Sequence, residues 1–240
     1  MICDMHCHIL PGVDDGARNE GSTERMLNIA YKDGIDYIVA TPHFEYGQEI
    51  ETSEELKKKY QKVREKWKAM GPKKELFLGN EVFYSEGMVE TLNSRMALTM
   101  NNTKYVLVEF GMDAGPQYVQ RAIQKLRYAG YRPIIAHVER YPLLQSHKVL
   151  KEIIDTGAYL QVNAKTITGE HGFMGKFRAM RAIKSNLIHF VASDGHDSKA
   201  RKPELKQCRE CLEKKIGREK ARQIFEENPI RMLKGEEING

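Results

Sequence analysis

Nine side chains able to bind a metal recur along this chain of 240 residues: His6, His8, Asp15, His43, Glu81, Glu109, His137, Asp194 and His196. Nearly all stand at the end of an apolar, strand-like run. His-x-His opens the series and Asp-x-His closes it. In an extended Asp4-x-His6-x-His8 the three side chains point to one side. Two imidazoles one strand step apart can then grip one ion while Asp4 orients a ligand from behind. Cys3, Met5 and Cys7 face the other way, into packing. A single strand histidine is usually structural, but two at this spacing, followed by Asp14-Asp15-Gly16, favour ligation. The loop Leu10-Pro-Gly-Val-Asp-Asp-Gly16 can turn a carboxylate back over the strand ends. Either aspartate can be the ligand; Asp14 can instead cap the turn.

The other candidates have similar settings. Pro42 fixes the direction in which the chain leaves Thr41-Pro42-His43. Gly79-Asn80-Glu81 and Val108-Glu109-Phe110 place carboxylates after apolar runs. A buried Glu without a partner is costly, so a metal or a buried salt bridge must neutralise it. His137 follows Ile134-Ile135-Ala136 and precedes Arg140; Ser193-Asp194-Gly195-His196 is followed by Arg201. Guanidinium groups beside a multinuclear centre suit an anionic substrate, above all phosphate. His147, His171 and His189 lack such a context and read as surface or helix residues. Mixed imidazole and carboxylate donors exclude a thiolate-type structural zinc site and fit Mn²⁺, Fe or Zn²⁺. Two such ions can share a hydroxide, orient it in line and stabilise charge on the attacked group.

These residues need a scaffold that gathers them. Strand candidates are 2–8, 35–41, 76–81, 105–110, 132–138, 158–163 and 187–193, with helices between them. The clearest helix is 53–70. Thr52-x-x-Glu55 supplies a capping box, Gly71-Pro72 a stop, and Leu56, Tyr60, Val63 and Trp67 an apolar stripe. Further helices are expected at 117–129, 147–156, 203–216, with Pro203 at its first position, and 218–227, stopping before Pro229. His8, His43, Glu81, Glu109, His137, Asn163 and Asp194 follow successive strands. In a parallel barrel those carboxyl ends share one face, which carries the chemistry. The expected fold is therefore α/β, a single domain over 1–240.

Composition sets bounds. Hydrophobic content of 41% and charged content of 30% indicate a globular chain. No apolar run approaches the ~20 residues of a membrane span. The first residues, Met-Ile-Cys-Asp-Met-His, lack the basic and apolar regions of a signal peptide, so a cytoplasmic protein without membrane insertion is expected. The net charge of +5 is interspersed; even Lys57–Lys68 is accompanied by Glu54, Glu55 and Glu65, a solvated helix face rather than a nucleic-acid patch. Cys208-x-x-Cys211 is half a zinc site with no second half, and in a helix its members are simply neighbours. A Cys followed six positions later by Arg, the mark of a cysteine-based phosphatase, is absent: those positions hold Ile9, Val13, Lys214 and Gly217.

The segments His6-Cys-His-Ile-Leu-Pro-Gly-Val-Asp-Asp-Gly16, Ala40-Thr-Pro-His43, Gly79-Asn-Glu81, Val108-Glu-Phe110, Ala136-His-Val-Glu-Arg-Tyr141 and Ser193-Asp-Gly-His196 resemble the polymerase-and-histidinol-phosphatase (PHP) superfamily. More closely, they resemble its bacterial manganese-dependent tyrosine-protein phosphatases of the CpsB/YwqE type. The resemblance implies a distorted seven-stranded (β/α)7 TIM-like barrel holding three divalent metals, Mn²⁺ foremost. One metal would take His6, His8, Glu81 and Asp194; a second Glu81, Glu109 and His137; a third Asp15, His43 and His196. Arg140 and Arg201 would hold the phosphoryl oxygens. The implied substrate is a phosphotyrosine protein, a bacterial tyrosine kinase with a tyrosine-rich tail, in capsule or exopolysaccharide synthesis; oligomers are compatible with it. Small-molecule phosphatase, nuclease and metal-stabilised binding module are the rivals. Gly111-Met-Asp-Ala-Gly115 departs from the family pattern at the expected substrate rim.

Overall fold

The computed structural model describes residues 1–48, 53–170 and 172–238. Thr52 of the expected capping box and His171 lie outside these residues. All seven expected strand segments contain a strand, but nine strands form among the described residues. They are β1 (Cys3–Cys7), β2 (Tyr37–Ala40), β3 (His43–Phe44), β4 (Glu75–Leu78), β5 (Glu81–Phe83), β6 (Tyr105–Glu109), β7 (Arg132–Ile135), β8 (Tyr159–Asn163) and β9 (Phe190–Ala192). All pair in parallel, in the orders β1-β2-β4 and β3-β5-β6-β7-β8-β9. The result is a mixed α/β fold with a curled parallel sheet.

The two extra strands have a local cause. Pro42 has no N–H to give to a ladder, so pairing stops after Ala40 and resumes at His43. Alongside, Asn80 Nδ2 donates to Pro42 O at 2.9 Å and Asn80 Oδ1 accepts from Leu98 N at 2.8 Å. This side chain replaces the missing ladder and ends the expected 76–81 strand at Leu78. The interruption places His43 and Glu81 in register at the start of the next ladder.

Both faces of the sheet are buried, which is why its strands read as nearly unbroken apolar runs. The inner face packs Met5, Val39, Tyr105, Leu107, Ile134, Ala136, Phe190 and Ala192 together. Ile38, Ala40, Val106, Val108, Ile135, Leu160, Val162 and Val191 belong to the larger cluster under the helices. Each fully buried Leu, Ile or Phe contributes about 1.5–3 kcal/mol. Ten α-helices flank the strands among the described residues: α1 (Glu20–Asp33), α2 (Ser53–Ala69), α3 (Met88–Asn93), α4 (Pro116–Tyr128), α5 (His147–Asp155), α6 (Ala164–Thr168), α7 (Phe173–Lys184), α8 (Lys206–Ile216), α9 (Arg218–Arg222) and α10 (Asn228–Lys234).

Two helix boundaries differ from expectation. Pro203 stays in a loop, and α8 begins at Lys206, after Asp33 Oδ2 has accepted the N–H groups of Leu205 and Lys206. The expected 218–227 helix continues through a π-helical turn, Gln223–Glu227, into α10. Pro229 enters α10 directly after the π turn rather than ending the helix. Met232 and Leu233 of α10, with Ile238, join the inner cluster. They seal the amino end of the strands and leave the carboxyl end for chemistry.

Candidate metal centre

All nine expected donors come together at the carboxyl ends of the strands. Among the described residues, three groups have ligand atoms within 4.8 Å of one another: His6, His8, Glu81 and Asp194; His8, Asp15, His43 and His196; and His43, Glu81 and Glu109. The first matches the expected set. The second adds His8 to its expected set. The third has His43 where His137 was expected, although His137 Nε2 lies 2.7 Å from Glu81 Oε1 and 3.5 Å from Glu109 Oε1. Glu81, His8 and His43 each serve two groups, so the three form one continuous cluster.

Strand β1 does not keep the strict alternation expected of it. Its register against β2 slips between Asp4 and Cys7. Cys3 and Met5 fall in the inner cluster and Cys7 in the outer one. His6 and His8 nevertheless aim at one point, with Nε2 atoms 3.0 Å apart. Glu81 Oε2 lies 3.0 and 3.1 Å from them, and Asp194 Oδ1 3.5 and 3.6 Å. The other ring nitrogens are spoken for. His8 Nδ1 donates to Asp14 Oδ2 at 2.7 Å. Gln161 Oε1 accepts from the His137 backbone N–H at 2.7 Å, so it is the amide oxygen, and His6 Nδ1 at 3.2 Å must be its second donor. With both rings neutral, as metal ligation requires, two Nε2 lone pairs face each other across 3.0 Å, an arrangement a shared cation relieves.

Two further observations fit a cation. Asp194 Oδ1 and His196 Nε2 are buried without a hydrogen-bond partner, a costly state unless a metal accepts their lone pairs. His137 (φ 30°) and Asp194 (φ 53°) both adopt left-handed backbone, an uncommon conformation away from glycine that clusters at functional sites.

Electrostatics point the same way. Burial pushes the Glu81 carboxyl up, but His6 and His137 overcome it and hold it well below the usual carboxylate range. Asp194 is likewise lowered against its burial, chiefly by His6. The His196 imidazole, with Nε2 3.3 Å from Asp15 Oδ1, holds the Asp15 carboxyl down. Burial depresses the His8 imidazole, yet Asp14 and Glu81 reverse this and raise it to about 10. The carboxylates thus hold positive charge at this spot, which metal ions supply by displacing protons.

The supporting residues were only partly visible in sequence. Asp14, left open between ligand and cap, is a positioning group: besides His8 it accepts from His43 N and Gly16 N, both at 3.0 Å. Among the described residues Asp4 makes no hydrogen bond to a ligand side chain. Its carboxylate accepts from Ser193 N at 2.9 Å and Ser193 Oγ at 2.5 Å, holding the Ser193–His196 turn. Gln161 and Asn163 on β8 complete the frame: Gln161 Nε2 donates to Asn163 Oδ1, and Asn163 Nδ2 to Asp194 Oδ2, both at 2.8 Å. Two amides on alternate positions of an otherwise apolar strand were the signal. His147 lies in α5, as expected. His189 is neither a surface nor a helix residue: it is buried just before β9, and its Nδ1 accepts from Leu160 N at 3.2 Å.

Arg140 and Arg201 lie beside the cluster and line one cavity of about 570 Å³, with Asn163, Ser193 and Asp194. Arg201 Nη2 donates to Asp194 Oδ2 at 2.7 Å. Glu139 Oε1, in the same wall, accepts from Asn163 N at 2.9 Å.

Residues 2–234 match the protein family described as capsular polysaccharide synthesis, CpsB/CapC. The chain belongs to this family. This CpsB/CapC member is 30% identical over 238 residues to tyrosine-protein phosphatase CpsB of Streptococcus pneumoniae, covering 97% of this chain and 98% of that protein. It is 32% identical over 219 residues to tyrosine-protein phosphatase YwqE of Bacillus subtilis, covering 91% and 86%. Its fold superposes with a TM-score of 0.91 and 31% identity, covering 99% of this chain and 96% of the other, on a chain from crystal structures of YwqE from B. subtilis and CpsB from S. pneumoniae, which are described as metal-dependent tyrosine phosphatases. A histidinol phosphate phosphatase from Lactococcus lactis shares the fold alone, with a TM-score of 0.58 and 12% identity over 92% and 93% of the two chains. None of this chain's helices, among the described residues, is long and apolar enough to cross a membrane.

Proposed function

We propose that this CpsB/CapC-family chain is a metal-dependent protein-tyrosine phosphatase that hydrolyses the phosphomonoester of phosphotyrosine. The observation that carries this reading is the shared position of Asp194. It belongs to a donor cluster and also lines the arginine-bearing cavity, where Arg201 grips it. A phosphoryl group held by Arg140 and Arg201 therefore meets the cluster directly.

Three ions would be held: one by His6, His8, Glu81 and Asp194, one by Glu81, Glu109 and His137, one by Asp15, His43 and His196. Oxygen and imidazole donors without thiolate suit Mn²⁺, with Fe or Zn²⁺ as substitutes. Bound there, such ions supply an activated water at neutral pH and neutralise developing charge. The chain's own residues do the rest. Arg140 and Arg201 orient the phosphoryl oxygens and stabilise their equatorial charge. Gln161 and Asp14 keep the Nε2 lone pairs of His6 and His8 turned inward. The phenolate leaving group, with a pKa of about 10, places little demand on a general acid. Cys3, Cys7 and Cys208 do not compete as nucleophiles: they are buried, and burial pushes each thiol well above its ordinary range; Cys211 lies on α8 and has Gly217, not an arginine, six residues on.

At finer grain, we assign the fold to the distorted seven-stranded barrel. β2 and β3 act as one interrupted strand, β4 and β5 as another. The Asp194 N–His6 O and His8 N–Gly195 O bonds, 3.0 and 2.8 Å, support closure between β9 and β1. We place this chain in the cytoplasm, and the substrate we favour is a bacterial tyrosine kinase phosphorylated on its tail, in capsule or exopolysaccharide synthesis.

The test is steady-state kinetics on a phosphotyrosine peptide and on histidinol phosphate, with metal analysis of the same sample. The expected result is higher kcat/KM on the peptide, lost on chelation and restored by Mn²⁺. An Arg140→Ala, Arg201→Ala double variant that kept full turnover would overturn the phosphate-binding assignment. Activity indifferent to exhaustive chelation would overturn the reading.

A further inference from the structure

Four cationic side chains, Arg140, Lys165, Arg178 and Arg201, line the cavity beside the centre, against two acids, Glu139 and Asp194. Their charges are committed differently. Arg201 is tied to Asp194 at 2.7 Å and Lys165 to Glu170 at 2.8 Å. Arg178, on α7, makes no ion pair among the described residues. Its Nη1 donates to the neutral Gln145 Oε1, and Gln145 Nε2 is in turn anchored on Glu139 O at 2.6 Å. A guanidinium is thus aimed by an amide that leaves its charge uncompensated, and the anchor is the turn Val138–Arg140 that also carries Arg140. Glu139 is not its counter-ion: no ion pair joins the two among the described residues, Glu139 Oε1 is engaged by Asn163 N and Thr166 Oγ1, and Oε2 is buried without a hydrogen-bond partner.

We infer that Arg178 is a specificity residue, pairing with an acidic side chain that flanks the phosphotyrosine of a polypeptide substrate; this rests on the phosphotyrosine reading above. The cavity, about 570 Å³, lies within the roughly 300–1,000 Å³ of pockets that engulf a drug-sized ligand. It has room for more than one phosphorylated phenol. The planar fork of a guanidinium matches a carboxylate bidentately. α7 also exposes Phe173, Met174 and Phe177 at 78, 56 and 54%. Met174 stands one helical turn before Arg178, on the same face. An apolar ledge beside an uncompensated cation suits a peptide and has no use for a small ester.

The experiment compares two phosphotyrosine peptides, identical except for Glu or Gln at the flanking positions, on the manganese-supplemented full chain, with p-nitrophenyl phosphate as a small ester. The expected preference for Glu in kcat/KM is roughly fivefold, the discrimination of a partly exposed ion pair. Arg178→Gln removes that preference and leaves turnover of the small ester unchanged; Arg178→Lys keeps part of it. The same ranking is expected in binding of peptides carrying a non-hydrolysable phosphonate, read by fluorescence anisotropy. No Glu preference in the wild type, or one that survives Arg178→Gln, overturns the inference while leaving the phosphatase reading intact. Failure to turn over even the small ester overturns both.

Discussion

Asp14→Asn is the sharpest test of how the centre is built, because it keeps shape and removes one acceptor. Three N–H groups converge on two carboxylate oxygens: His8 Nδ1 at 2.7 Å and His43 N at 3.0 Å on Oδ2, Gly16 N at 3.0 Å on Oδ1. Asparagine offers one carbonyl oxygen and an NH₂ group. With the oxygen toward His8 and His43, the amide opposes Gly16 N–H; turned round, it opposes two donors. Either way a buried donor is stranded, at about 1–3 kcal/mol. The neutral amide also polarises His8 less. Loss of such a supporting carboxylate typically weakens metal binding by about 10–100-fold, or roughly 1.4–2.7 kcal/mol. His8 belongs to two of the three donor groups, so more than one ion is loosened. Calorimetric titration of metal-stripped protein with Mn²⁺, with elemental analysis after dialysis, measures this directly. Asp15→Asn, by contrast, should lower the number of ions bound while leaving the tightest site intact. An Asp14→Asn affinity within twofold of wild type, with unchanged stoichiometry, would refute the positioning role.

Gly16→Ala should fail for steric reasons: a Cβ there would lie 2.2 Å from His8 O and 2.5 Å from His8 Cβ. A destabilisation of about 1–3 kcal/mol with weakened metal binding is expected in urea melts, and an unchanged midpoint would contradict the close approach. His189 gives a pH signature. Burial lowers its pKa to about 4, whereas the unfolded imidazole titrates near 6.5. The unfolded chain therefore takes up this proton first, and the stability this group contributes is complete above pH ~6.5 and lost as pH falls toward 4, by up to about 3 kcal/mol. His189→Asn, which can still accept from Leu160 N, should lack that slope, and parallel curves for the two proteins would count against it. Removing metal should lower the thermal midpoint as well as activity, by the equivalent of about 2.7 kcal/mol when the free ion stands at a hundred times its dissociation constant; identical melts with and without chelator would exclude tight ions at this centre.

The sheet was legible because it is buried on both faces. Runs such as Tyr105–Glu109 and Phe190–Ala192 have no polar interruption until the functional residue arrives. The donors were legible for the same reason: a charge that closes an apolar run stands out. What escaped depended on contacts distant in sequence. The break between β2 and β3 is visible at Pro42, but the matching break before Glu81 exists because Asn80 reaches across to Pro42. Asp14 and Asp15 are chemically identical neighbours, and only the fold decides that one faces His8 and the other His43 and His196. α1 was not bounded from the sequence, although its cap, Asn19 Oδ1 accepting from Ser22 N, and its left-handed Gly34 stop are local. α7 begins with exposed Phe and Met, so its apolar residues do not mark its buried side. Cys208 and Cys211 behave as helix neighbours should, both free, the first buried and the second half-buried.

β8 supplies amides where its neighbours supply imidazoles and carboxylates. Gln161 and Asn163 tether three ligands, His6, His137 and Asp194, yet add no charge of their own. The cationic cavity opens beside Asn163. An anion arriving there is spared the repulsion that a further carboxylate would impose, so the route inward is set by a strand whose tip stays neutral at every pH.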